Sequence, residues 1–352
     1  MGTSRNKCKI VFFSCVRCYN MFYKKGDIME MESIYNRIKN AMTAEGTMPE
    51  DFVLRPKMQD GRQFADGAID GTIRYYMGPA GNTDIEMLTQ ALKLASADKF
   101  EDAANALITY FAQGIVMLPV MDKVQDWIYN HPQELSPENL GRFAMTLLLQ
   151  SPDAESVKFA LTILEVLEQE PSEDLQELLL TLAACEELTL FCLFALGGYD
   201  NANDIYFQLA QKLKGWGRIH AISMLKATNE EIRNWLLAEG WQNNIMPEYS
   251  AITIIKRTKL ADLLQQVEAN QEAKLVNQAG NLIGYALQEE PIAGLSGYKR
   301  AGELLQGYLS KAGQVELSEA NRQKLPEIKT FIENSQLDNK WQLVEMCNNI
   351  LG

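Results

Sequence analysis

The sequence predicts an all-α protein whose helices stack in antiparallel pairs as a HEAT-like solenoid. Three observations carry that expectation. From residue 83 onward, apolar residues recur at helical spacing over segments of roughly ten to nineteen residues, separated by short breaks. No alternating β-branched run is long enough for a sheet. The helix starts are marked by capping residues.

Taken in chain order, residues 1–28 form a basic extension. Arg5, Lys7, Lys9, Arg17, Lys24 and Lys25 stand against Asp27 alone, although the 352-residue chain carries a net charge of −13. The apolar stretch Ile10 to Cys15 is short and Arg17 interrupts it, so the extension is a poor secretory signal. The expectation is a segment that is disordered or not translated, with translation starting at Met29 or Met31, where the acidic periodic pattern begins. Cys15 and Cys18 have the two-residue spacing of zinc and redox sites, but no second pair or nearby histidine completes a tetrahedral set.

Residues 29–82 hold N-terminal helices and Gly/Pro-rich loops, with Pro49, Pro56, Gly61, Gly67, Gly71, Gly78, Pro79 and Gly81 concentrated between positions 44 and 82. Phe64, Ala68, Ile73 and Tyr76 fall near one helical face, and Gly67 and Gly71 lie one turn apart on another. This pattern fits a short helix packed through its glycines; an irregular linker accounts for it equally well.

Residues 83–352 read as the helical repeat array. Thr83 with Glu86 and Thr228 with Glu231 fit the capping box, and Ser136-Pro137 and Ser151-Pro152 place a hydroxyl before a first-turn proline. Between Asp153 and Glu170, Val157, Ala160, Leu161, Leu164 and Leu167 form one apolar stripe and Phe159, Ile163 and Val166 a second. A helix covered on two sides belongs in the middle of a stack. Leu178 to Leu196 repeats the doubling, whereas Ala301 to Leu309 has one stripe. The unit length of roughly 35 to 45 residues matches two-helix repeats, and the polar segment Ser335 to Leu351 suits a terminal helix.

The acidic balance opposes binding to DNA, RNA or an anionic membrane surface. Leu175 to Leu196 is interrupted by Glu177, Glu186 and Glu187, so no membrane span is expected and the protein is placed in the cytoplasm. Cys185, Cys192 and Cys347 sit in apolar helical runs and read as reduced core residues.

Signs of chemistry are sparse. The only histidines, His131 and His220, lack the spacing of di-iron, facial-triad or zincin sites, so no metal ligands are assigned. Gly215-Trp-Gly217-Arg-Ile-His220 lacks the third glycine of a dinucleotide fingerprint and follows a helical pattern, which makes it a tight turn between helices. Tyr35 and Lys39 have the spacing of a dehydrogenase proton-transfer pair without its nucleotide fold. Glu165, Glu168 and Glu170, or Glu289 and Glu290, read as solvated edges rather than acid–base pairs. Trp216, His220, Trp235, Trp241 and Tyr249 crowd one region and are the candidate lining of a small apolar pocket; core aromatics bridging helix pairs explain them as well. No catalytic or cofactor-binding residue is assigned.

Four blocks carry a family resemblance: Phe64-Ala-Asp-Gly-Ala-Ile-Asp-Gly71, Arg218-Ile-His-Ala-Ile-Ser-Met-Leu225, Glu231-Ile-Arg-Asn-Trp-Leu-Leu237 and Asn243-Asn-Ile-Met-Pro-Glu-Tyr249. Over much of residues 30–255 the chain resembles Gram-positive bacterial proteins labelled limonene hydroxylase. The resemblance implies oxidation of the monoterpene limonene at allylic carbons to carveol and perillyl alcohol, with dehydrogenation onward to carvone and perillaldehyde. It implies an NAD(P)H-dependent monooxygenase with alcohol dehydrogenase activity and an oxygen-activating centre. The blocks contain no catalytic motif, so no residue takes a role from them. The residues alone favour the other reading, a non-catalytic α-solenoid scaffold that binds a protein partner.

Overall fold

The structure is a computed structural model that describes residues 32–55, 61, 63–77, 83–167, 172–266, 273–290 and 292–352. The basic extension, both internal start methionines, Cys8, Cys15, Cys18, Glu168 and Glu170 lie outside the described residues. Among the described residues the protein is all-α, with eighteen α-helices and no strand. No helix there is long and apolar enough to cross a membrane.

The chain divides into two compact units, the first ending at Ile205 and the second beginning at Tyr206. The first contains α1 (Ile34–Ala41), α2 (Ala68–Thr72), α3 (Glu86–Ser96), α4 (Phe100–Phe111), α5 (Met121–Asn130), α6 (Pro137–Gln150), α7 (Ala154–Leu167), α8 (Glu173–Ala183) and α9 (Glu186–Leu196). Here α5, α7 and α9 are successive neighbours in one row, and α3, α6, α1 and α8 in another. Between the rows α3 packs on α4, α6 on α7 and α8 on α9. α1 thus sits between α6 and α8, far from its place in sequence, held by Ile34 N–H donating to the Ser151 carbonyl at 2.9 Å.

The second unit contains α11 (Trp216–Met224), α12 (Glu230–Trp235), α13 (Glu248–Arg257), α14 (Leu260–Gln266), α15 (Ala273–Ala286), α16 (Ala301–Ala312), α17 (Glu319–Asn334) and α18 (Lys340–Leu351); α10 (Ala202–Lys212) spans the division. α11, α13, α15 and α17 follow one another in one row, and α14, α16 and α18 in the other.

The doubly striped helix behaves as its sequence requires. In α7, Val157, Phe159, Ala160, Leu161, Ile163 and Leu164 are all buried, each large side chain contributing about 1.5–3 kcal/mol. On α18, Leu343 and Cys347 face inward one turn apart, while Trp341 is 77% exposed on the outer side.

The caps are correct at one position and displaced at three. Ser136 caps α6 by accepting from Asn139 N–H. Before α3 the acceptor is Asp84 rather than Thr83, before α12 it is Asn229 rather than Thr228, and before α7 it is Asp153 rather than Ser151. In each case a neighbouring Asp or Asn supplies the acceptor, in keeping at α3 and α12 with the preference for those side chains over threonine. Ser151 ends α6 instead.

The Gly-rich segment forms α2, which continues as a π-helical turn over Ile73–Met77. It packs inward through its glycines, as their spacing suggested: Gly67 and Gly71 are both buried. Phe64 and Tyr76 are 45% and 57% exposed, and the buried face carries Asp70 and Gly71. The cause is electrostatic: the inward side meets a buried lysine.

Candidate functional site

Lys158 lies in the middle of α7 and is 0% exposed. A buried ammonium requires compensation at every proton. Its three donors meet three carboxylates: Asp70 Oδ2 at 2.6 Å, Glu187 Oε1 at 2.6 Å and Glu155 Oε1 at 3.2 Å. Glu155 and Glu187 sit in the first turns of α7 and α9, where the helix macrodipole favours negative charge. Arg55 adds a second cation, with Nε donating to Glu187 at 2.8 Å and Nη2 to Glu155 at 2.5 Å.

Backbone groups satisfy the second oxygen of each glutamate. Glu155 Oε2 accepts from Met117 N–H at 2.7 Å, and Glu187 Oε2 from Gly67 N–H at 2.9 Å. Gly67 precedes α2 with φ of 77°, a left-handed conformation natural to glycine. Asp66 accepts from Leu54 N–H through both oxygens, and the Cys185 thiol donates to its Oδ2 at 3.4 Å. Asp70 Oδ1 is buried without a partner.

These contacts set the charge states. Burial opposes ionisation of Glu187, but Lys158 and Arg55 outweigh it and hold the carboxyl at about 2. Burial lowers the Lys158 ammonium, yet Glu155, Asp70 and Glu187 overcome this and raise it above its ordinary value. For Asp70 burial wins: attraction to Lys158 is offset by Glu155 and Glu187, and the carboxyl rises to about 6. Burial likewise raises Asp66 and the thiols of Cys185 and Cys192. Cys185, Cys192 and Cys347 are free and buried.

The aromatic candidates of the second unit separate into three groups. Trp216 packs against Tyr249 with centroids 5.0 Å apart and stacks on His220 at 6.1 Å, all three buried. Trp235 instead meets Phe207 edge-on at 5.3 Å, with the Arg218 guanidinium over its ring at 5.0 Å. Trp241 packs on Tyr285 at 5.1 Å. Arg218 fastens this region by donating to the carbonyls of Leu213 and Glu239, and a cation is favourable at such helix ends.

The other sequence candidates are dispersed. Tyr35 and Lys39 form a helix-surface pair, Nζ to OH 3.4 Å. His131 stacks on Trp127, and its Nδ1 lies 2.8 Å from the Trp127 carbonyl. Glu165 accepts from Gln125 at 2.8 Å. Glu289 lies half-exposed at a loop edge, where it accepts from Gly294 N–H, Ser296 N–H and Ser296 Oγ and closes the loop after α15.

Neither group that the resemblance implies fits the residues present. Gly215 stands between two helices, α10 and α11, and no strand feeds the turn as a dinucleotide cradle requires. The clustered acids Asp70, Glu155 and Glu187 are occupied by Lys158 and Arg55, and among the described residues no three His, Cys, Asp or Glu side chains converge as metal donors. No family model, curated protein or solved structure matches the chain.

Proposed function

We propose that the chain takes part in oxidation of limonene to carveol and perillyl alcohol, and onward to carvone and perillaldehyde. The supporting observation is where the resemblance falls. The block Phe64 to Gly71 supplies Asp66, Gly67 and Asp70 to the buried charge cluster. The blocks Arg218 to Leu225 and Asn243 to Tyr249 supply His220 and Tyr249 to the aromatic group around Trp216. A monoterpene hydrocarbon presents only apolar and π surface, and large aromatic side chains bind that chemistry with few polar contacts. Trp216 and Tyr249 are its apolar contacts.

The test is product formation from limonene by purified protein supplied with NAD(P)H and air, followed by chromatography. Carveol and perillyl alcohol are expected, with at least a tenfold loss of rate in Trp216→Ala, since a large aromatic contact is worth more than about 1.4 kcal/mol. Folded protein that yields neither alcohol contradicts the reading.

A second reading is a non-catalytic helical scaffold of solenoid form that holds a protein partner. It is supported by the two rows of alternate helices in each unit and by large apolar side chains left outward, Ile108, Tyr129 and Trp341. Limonene turnover by the single purified chain contradicts it.

A further inference from the structure

The buried cluster holds more acid than base. Among the described residues, Asp66, Asp70, Glu155 and Glu187 face two cations, Lys158 and Arg55. Three of the four carboxylates have both oxygens engaged. Asp70 does not: Oδ2 meets Lys158, while Oδ1 is buried and unpartnered. A proton placed there removes an uncompensated buried charge and leaves Lys158 its two glutamates.

The location matters as much as the charge. Asp70, Asp66, Gly67 and Arg55 belong to the N-terminal segment, whereas Lys158 and Glu155 come from α7 and Glu187 and Cys185 from the start of α9. The outward residues of that segment, Phe64 and Tyr76, bury little apolar surface. Leu54 is its buried apolar anchor, and its contact with α7 and α9 runs through this charge cluster.

We propose that residues 52–55 and 63–77 form a strap whose hold on α7 and α9 is set by a proton carried on Asp70, tightening in mildly acidic solution and loosening above neutrality. The sign follows from linkage. A carboxyl raised when docked and ordinary when free binds more protons docked, so docking strengthens as pH falls through the docked value. Moving from an ordinary aspartate to about 6 gives roughly tenfold tighter docking at pH 5 than at pH 8. Asp66, also raised, works in the same direction. Glu187 is ionised throughout that window and contributes no slope.

Native-state amide exchange on the full chain, corrected for the intrinsic pH dependence of exchange, tests this at the Gly67 N–H. About tenfold greater protection is expected at pH 5 than at pH 8, while amides in the middle of α7 do not share the step. Asp70→Asn should remove the tenfold step and leave only the shallow slope from Asp66, and Asp66→Asn should retain the step. A flat wild-type profile, protection that rises with pH, or a step that survives Asp70→Asn overturns the proposal. The Asp70 carboxyl carbon, followed by NMR in the wild-type protein, gives a measurement that needs no variant. A midpoint near 6 is expected, and one in the ordinary aspartate range overturns the proposal.

Discussion

Lys158 shows how a single residue can organise a region. Its ammonium has three donors and meets three carboxylates, so removing it leaves buried Asp70 without a cation and Glu155 and Glu187 with Arg55 alone. Lys158→Met should lower stability by about 3–5 kcal/mol in denaturant titration at pH 7, the cost of breaking a buried ion pair from one side. A loss below 1 kcal/mol would show that the acids relax into solvent. Glu187 gives a separate acid limb. Its carboxyl is held at about 2 against an ordinary 4.5, so its contribution is complete above 4.5 and is lost as pH falls toward 2. Glu187→Gln should flatten that limb, and an unchanged acid profile would contradict the assignment. The signal for Lys158 was present in the sequence, because a lysine inside a helix with two apolar stripes has no polar face left to occupy. Its partners were not legible: Asp70 and Glu187 lie 88 and 29 residues away, and periodicity carries no information over such distances.

Individual elements were readable where local chemistry decides and misread where tertiary contact does. α7 and its burial follow from spacing alone. The caps were found to within two residues, and Asp153 rather than Ser151 caps α7, accepting from both Ser156 N–H and Ser156 Oγ at 2.7 Å. Asp153→Ala should cost about 1 kcal/mol, whereas Pro152→Ala should change little; equal effects would return the cap to the residues before Asp153. The packing of α2 through Gly67 and Gly71 was legible in their spacing, whereas burial of Asp70 beside them was not, since it is driven by Lys158. Close helix packing makes a further prediction in the second unit. A Cβ on Gly280 would stand 2.7 Å from Asn321 and 2.8 Å from Tyr308 OH, whereas on Gly284 it would meet only the flexible Lys324 side chain at 3.3 Å. Gly280→Ala should destabilise by about 1–3 kcal/mol and Gly284→Ala far less, as read from thermal unfolding; the reverse order would contradict the packing of α15 on α17.

At the scale of the molecule, helical class was evident from periodicity, and alternate-helix neighbours appear in both units. The insertion of α1 between α6 and α8 was hidden, because a short amphipathic helix carries no record of its neighbours. The aromatic candidates divide by contact: Trp216 meets His220 and Tyr249 directly, while Trp235 packs on Phe207 and Trp241 on Tyr285. Chemistry was the least legible level. The charge cluster that distinguishes the first unit uses common residues with no motif spacing, and the turn at Gly215 offers a dinucleotide no strand-fed cradle.

Limonene oxidation supplied with heavy-isotope dioxygen tests the functional account most directly. The account predicts carveol and perillyl alcohol carrying the labelled oxygen, formed by the purified chain with NAD(P)H and strongly reduced in Trp216→Ala. Unlabelled alcohols, or none from protein whose circular dichroism is fully helical, would contradict it.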